Sequence, residues 1–298
     1  MNRGVPAIDR PGDPAFNAGM TSSPRSPILV LGGTGKTGRR IVSRLSERGV
    51  PVRVGSRSGT PPFDWEDTAT WAPALQGARA AYVSYFPDIA VPGAPEAVAE
   101  LARIAVQGGT RRLVLLSGRG EEEALRAETE LQASGADWTI VRCSWFNQNF
   151  SEDYLRDSVL AGEVTLPVSD VPEPFVDAED IADVAVAALT DDRHVGQLYE
   201  LTGPRLLTFA DAVGEIGAAS GRDVRLARVS GEEFASGLAG HGVPADVISL
   251  LRYLFTEVLD GRNASLADGV QRALGRPARD FREFARRAAA AGAWSAAA

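Results

Sequence analysis

A chain of 298 residues, 44% hydrophobic and 23% charged, has the length and composition of a globular protein with one large α/β core and an attached lobe. A net charge of −8 and a pI near 5.0 exclude broad binding to nucleic acid or to anionic membrane surfaces, and no apolar run approaches the ~18 residues of a membrane span. The residues that are scarce exclude more. The single cysteine, Cys143, rules out an internal disulfide and suits a reducing, cytoplasmic setting, while two separated histidines, His194 and His241, argue against a metal centre or a Ser-His-Asp triad.

Residues 1–26 hold several Pro, Gly and Ser and no periodic apolar pattern, which predicts a disordered tail with no secretory h-region. From residue 27 strands and helices alternate. Ile28, Leu29, Val30 and Leu31 form a short apolar strand, followed by Gly32-Gly33-Thr34-Gly35-Lys36-Thr37-Gly38 and a helix over 39–48 with Ile41, Val42 and Leu45 at helical spacing. Strands are predicted at 51–55, 61–65, 78–85, 112–117 and 138–142. Helices are predicted at 68–75, 94–106 and 121–133, the last stopped by Ser134-Gly135. Cys143, next to the last strand, reads as a small buried apolar residue. Continuous apolar strands between helices imply a parallel sheet covered on both faces.

Beyond residue 150 the pattern is less regular. Helices are predicted at 150–160, 177–189, 209–219, 245–259 and 279–290, and strands at 198–201 and 224–229. The helices of 230–262 suit either a cap over a pocket or ordinary core packing. The expected organisation is the tail, a nucleotide-binding core over 27–150, and a part over 151–298 that completes the sheet and forms a smaller, mixed substrate lobe.

The glycine turn carries the chemistry. A sharp passage from strand to helix needs residues without a Cβ, and a diphosphate must approach the N–H groups of the helix N-terminus closely. A P-loop is excluded, because that motif requires a glycine five positions before Gly35, where Val30 stands in the strand. Gly32, Thr34, Gly35, Lys36, Thr37 and Gly38 are therefore candidate dinucleotide contacts, with Lys36 and Arg39 adding positive charge. An NAD-binding chain usually places an acid about 20 residues after the glycines, on the ribose 2′-hydroxyl. Here Ser56, Arg57 and Ser58 occupy that place, a set suited to a 2′-phosphate, so NADP(H) is expected over NAD(H). Asp64, closing the strand predicted at 61–65, is expected to accept from the adenine amino group.

Together these segments resemble the NmrA-like, atypical branch of the short-chain dehydrogenase/reductase superfamily. The resemblance covers residues 27 to about 290. It rests on Gly32 to Gly38, on Ser134-Gly135-Ala136-Asp137-Trp138-Thr139-Ile140-Val141-Arg142 with Ser144-Trp145-Phe146-Asn147-Gln148-Asn149-Phe150, and on Phe175-Val176-Asp177-Ala178-Glu179-Asp180-Ile181-Ala182. The Trp-Phe-x-x-Asn-Phe element is most similar to the subgroup of festuclavine and agroclavine dehydrogenases. The resemblance implies a Rossmann-type, doubly wound parallel sheet, NADPH at the glycine loop and substrate under the C-terminal lobe.

One departure bears on mechanism. The Tyr-x-x-x-Lys pair of most short-chain reductases is impossible here, since Lys36 is the only lysine, and no tyrosine follows Ser117 in Gly118-Arg119-Gly120-Glu121-Glu122-Glu123. Two readings survive. In one, NADPH reduces a small activated electrophile of iminium or quinone type, and the protein supplies orientation and water exclusion. Ser84 and Tyr85, ending the strand at 78–85, then face the cofactor. Phe86, Trp145, Phe146 and Asn149 wall the substrate, and Ser117 and Tyr85 are the weak catalytic candidates. In the other, the chain binds NADP(H) without catalysis and signals to a protein partner, as the NmrA resemblance allows. An isomerase or epimerase on the same fold is a third reading.

Overall fold

The computed structural model describes Met1 and residues 26–295. The expected tail over 1–26 therefore lies almost wholly outside the described residues. Strands β1 (Ile28–Leu31), β2 (Val52–Gly55), β3 (Ala80–Val83), β4 (Arg112–Gly118), β5 (Asp137–Cys143) and β7 (Gln197–Leu201) build one parallel sheet in the order β2-β1-β3-β4-β5-β7. β6 (Glu163–Leu166) and β8 (Arg225–Arg228) pair separately.

Both faces of the main sheet are covered, and so β1 and β3 are buried along their whole length. On one face α1 (Lys36–Glu47) brings Ile41 and Leu45, and α7 (Ala178–Thr190) brings Ile181, Ala185 and Leu189, onto Val30, Tyr82 and Val141. On the other, α2 (Trp71–Leu75), α3 (Ala94–Gln107) and α4 (Glu122–Ala133) pack onto Leu29, Ala81 and Leu115. The remaining helices are α5 (Asn149–Glu152), α6 (Leu155–Ala161), α8 (Phe209–Ser220), α9 (Gly231–Gly240), α10 (Ala245–Tyr253), α11 (Gly269–Leu274) and α12 (Phe281–Ala290). A third core, with Phe150, Phe175, Phe209, Phe255 and Phe281, binds the lobe together through tilted and edge-on aromatic contacts.

Several expectations are corrected. Residues 61–65 are not a strand: Pro61 and Pro62 lack the N–H a ladder needs, and the segment forms a loop whose Phe63 and Trp65 pack on Trp71 and Tyr85. The helix predicted over 150–160 is broken between α5 and α6. The long helix over 245–259 ends as an α-helix at Tyr253 and continues as a π-turn over Leu254–Val258, which turns Phe255 and Val258 into the core.

Candidate functional site

The strand order reverses between β1 and β3, and ligands of open α/β sheets bind outside the strand C-termini at that place. β1 leads there into the glycine turn. Gly32 has φ +64°, a left-handed conformation that favours glycine, and its carbonyl accepts from Gly35 N–H at 2.9 Å. A methyl group on Gly32 would lie 3.4 Å from Ser84 Cβ, so the turn after β1 touches the end of β3. A methyl group on Gly38 would overlap the Gly32 carbonyl, so this glycine is what lets α1 close against the turn. Gly35 is the N-cap of α1 and supplies no capping side chain. The first N–H groups of α1 therefore keep free donor capacity beside an exposed Gly32, Thr34 and Gly35. This is a cradle for an anion, and it fits a diphosphate.

The Thr37 side chain is buried, and its hydroxyl accepts from the fully buried Tyr82 hydroxyl at 2.9 Å, so the side chain anchors α1 to β3 and only the Thr37 backbone N–H is left to the turn. The charge expected beside the diphosphate is also largely spoken for. Lys36 is paired with Asp153 and donates to Asn149 Oδ1 at 2.9 Å, and Arg39 is paired with Glu152. Further along α1, Arg40 bridges Glu152 and Glu179, and Arg44 bridges Glu179 and Asp183. Asn149 is thus tied through its Oδ1 to the first turn of α1.

Leu31 pairs with Gly55, so Ser56, Arg57 and Ser58 leave the sheet beside the glycine turn. The Ser56 carbonyl closes their loop by accepting from Gly59 at 3.0 Å and Phe63 at 2.9 Å. Arg57 is exposed and makes no hydrogen bond or ion pair among the described residues. Asp64 does not close a strand: its Oδ1 accepts from Glu66 N–H at 3.1 Å and its carbonyl from Trp71 Nε1 at 2.7 Å. Trp65 Nε1 donates to the Ser84 carbonyl at 3.1 Å, and its ring lies 4.8 Å from that of Tyr85. The 61–67 loop is therefore an aromatic plug fixed to the end of β3. Burial, followed by Glu66 and Glu96, holds the Tyr85 phenol above its ordinary range, the opposite of what a neighbouring lysine would do.

Among the other aromatic candidates, Phe86 is 66% exposed at the rim. Trp145 is half-buried, with its ring 4.7 Å from Phe255 and 5.6 Å from Phe209, and joins the sheet to the lobe. Phe146 is half-buried against the main core. Ser117 is corrected: it is buried, and its hydroxyl donates to Glu128 Oε1 at 2.6 Å, so it does not present itself to a ligand. It belongs to a network in which Arg142 Nε holds Glu128 at 2.9 Å, and Arg119 Nε holds Glu200 at 2.5 Å while its Nη1 donates to the Asn263 and Ser265 carbonyls and its Nη2 to the Ser265 hydroxyl. Burial pushes the Cys143 thiol up, as suits an inert residue.

Sequence reasoning did not single out Asp88, Arg119 or Glu121, which stand within five residues of the C-terminal ends of β3 and β4, the side of a parallel sheet where ligands bind.

A sequence profile for a family described as NAD(P)H-binding matches residues 32–192. The chain belongs to this NAD(P)H-binding family. It is 32% identical over 282 residues to the oxidoreductase YesF of Bacillus subtilis, covering 91% of this chain and 97% of that one. It is 30% identical to agroclavine dehydrogenase of Claviceps fusiformis, covering 86% and 95%. Among solved structures, the NADPH-dependent quinone oxidoreductase QOR2 of Escherichia coli, complexed with NADPH, superposes with a TM-score of 0.73 at 20% identity, over 87% of this chain and 99% of that one. The family and its named relatives make this chain an NAD(P)H-dependent oxidoreductase, a reductase by type. Among the described residues, no helix is long and apolar enough to cross a membrane.

Proposed function

We propose that the protein reduces a small, planar, activated electrophile of quinone or iminium type, and that it uses NADPH in preference to NADH. The observation that carries the cofactor choice is Arg57: exposed and without a partner among the described residues, beside the glycine turn, where an NAD enzyme would carry an acid. When bound, NADPH supplies the hydride. The uncapped start of α1 and the Gly32–Gly35 turn hold the diphosphate, Ser56, Arg57 and Ser58 the 2′-phosphate, and Ser84 and Tyr85 the cofactor along the end of β3. Phe86, Trp145 and Phe146 stand at the strand ends nearest the substrate, where they exclude water.

The substrate class is supported by chemistry. With Lys36 the only lysine, a Tyr–Lys acid–base pair is absent, so acceptors that take hydride readily suit this site better than unactivated ketones. The names of the relatives, a quinone oxidoreductase and an agroclavine dehydrogenase, fit that class and favour catalysis over a signalling role. The test pairs calorimetric titration of NADPH and NADH with NADPH oxidation in the presence of menadione. Tighter NADPH binding and quinone-dependent oxidation support the reading; equal affinities overturn the cofactor preference, and no turnover with activated acceptors overturns the substrate class.

A further inference from the structure

The ends of β4 and β5 hold a set of groups that the site described so far leaves unused. Glu121 stands three residues beyond Gly118, at the N-cap of α4, yet its side chain caps none of that helix's N–H groups. Its carboxyl folds back over the strand end instead, where a methyl group on Gly118 would overlap it. Gly118 pairs with Cys143, so the carboxyl lies over the last rung between β4 and β5. Oε2 of Glu121 is buried and has no hydrogen-bond partner among the described residues. Just beyond β5, Ser144 and Asn147 are buried too, with the Ser144 hydroxyl and both side-chain atoms of the Asn147 amide unpartnered. Buried polar groups are ordinarily paired, and three unfilled ones at adjoining strand ends mark a place for a polar ligand.

The charges around Glu121 come from every neighbouring element. Asp88, in the loop after β3, accepts from Ala90 N–H at 2.9 Å, and Lys36 on α1 faces it. Glu128 lies on α4, where Arg142 and Ser117 hold it, and Cys143 lies on β5. Burial first, then repulsion from Asp88 and Glu128, pushes the Glu121 carboxyl well above the usual carboxylate range, which favours its protonated form.

We propose that Glu121 is the proton donor of this reductase, delivering a proton from the end of β4 to the substrate heteroatom that becomes anionic on hydride transfer. The inference rests on the reductase reading above. For a quinone the step balances as follows. The ring gains two electrons as hydride from NADPH, which leaves as NADP⁺. The Glu121 O–H bond breaks, its proton passes to the phenolate oxygen to give the hydroquinone, and water reprotonates the carboxylate. A cationic triphenylmethane dye differs, because its central carbon takes hydride to become a neutral product and requires no proton.

That difference separates a proton donor from a structural residue. Glu121→Gln keeps the shape of the side chain and removes the acid. We expect it to lower kcat for menadione by about 100-fold, the lower end of general-acid contributions, and by at least about tenfold more than kcat for malachite green, with NADPH affinity retained in calorimetric titration. Asp88→Asn removes the repulsion, so the alkaline limb of the menadione pH profile moves to lower pH. Equal losses on both acceptors, or no loss on either, overturn the role of Glu121 while leaving the reductase reading intact. A wild-type protein that binds NADPH but reduces neither acceptor overturns the reductase reading, and the inference falls with it.

Discussion

Lys36, the only lysine of the chain, reaches from the first turn of α1 to Asp153 at the break between α5 and α6. The pair ties the dinucleotide cradle to the lobe, and both partners are part-exposed. It also sets Asp153 against a diphosphate as competitors for one cation. We expect Asp153→Asn to tighten NADPH binding by about fivefold at low salt, the equivalent of ~1 kcal/mol of Coulomb energy, and the gain to shrink as ionic strength rises. Stability should change by less than ~1 kcal/mol, as for other exposed ion pairs. Titrations at two salt concentrations decide it; unchanged affinity would mean that Lys36 stays with the lobe when the cofactor binds.

Arg57 makes no competing hydrogen bond or ion pair among the described residues, so its removal reads out cofactor choice directly. A hydrogen bond to a charged group contributes about 1.5–3 kcal/mol. Arg57→Ala should therefore weaken NADPH by roughly 10- to 100-fold and NADH by less than about twofold, measured by the same titration. Matching losses for both nucleotides would show that the guanidinium does not reach a 2′-phosphate.

Gly38 and Gly35 share a motif and should fail differently. A side chain at Gly38 meets the Gly32 carbonyl, so Gly38→Ala should cost about 1–3 kcal/mol of stability, the range for overpacked sites, and binding should fall with the fold. At Gly35, φ is −76° and the nearest atom to an added methyl group is the Gly32 carbonyl oxygen at 3.2 Å. Gly35→Val should fold with a nearly unchanged urea midpoint and lose the dinucleotide, because its side chain projects into the exposed turn. Parallel losses in both variants would remove the distinction between packing and contact.

What the sequence reveals here is what is local. The apolar runs of β1, β3, β4 and β5 and the spacing of Gly32, Gly35 and Gly38 are read within a dozen residues, and the structure has them as strands and turn. The failures have physical causes. Pro61 and Pro62 sit in an aromatic-rich run that looks extended but cannot join a ladder. Glu163–Leu166 is four residues long with an exposed Thr165, too short to stand out. Ser117 shares strand parity with Leu113 and Leu115, and so it faces α4, a direction alternation alone could have shown. The ion pairs of α1 join residues more than 110 positions apart, and Glu121 becomes a buried acid only when Asp88 and Cys143 are brought beside it. Such groupings belong to the fold and are invisible to periodicity.

Glu173 gives the fold a pH dependence of its own. It is buried, neither carboxyl oxygen has a hydrogen-bond partner among the described residues, and burial pushes it up to about 8, opposed by the charge of Arg119. Its ordinary value is 4.5. Between those values the folded chain holds a proton that the unfolded chain has released. The stability tied to this proton is fully present below the unfolded value and is lost as pH rises toward the folded one, by about 1.4 kcal/mol per pH unit. Glu173→Gln keeps the neutral shape and cannot ionise. In urea unfolding the variant should therefore gain on the wild type as pH rises from about 5 to about 8, with the difference levelling off above that value. A difference that stays constant across the range would show that Glu173 is already ionised in the folded protein, with water or a neighbouring cation paired to it.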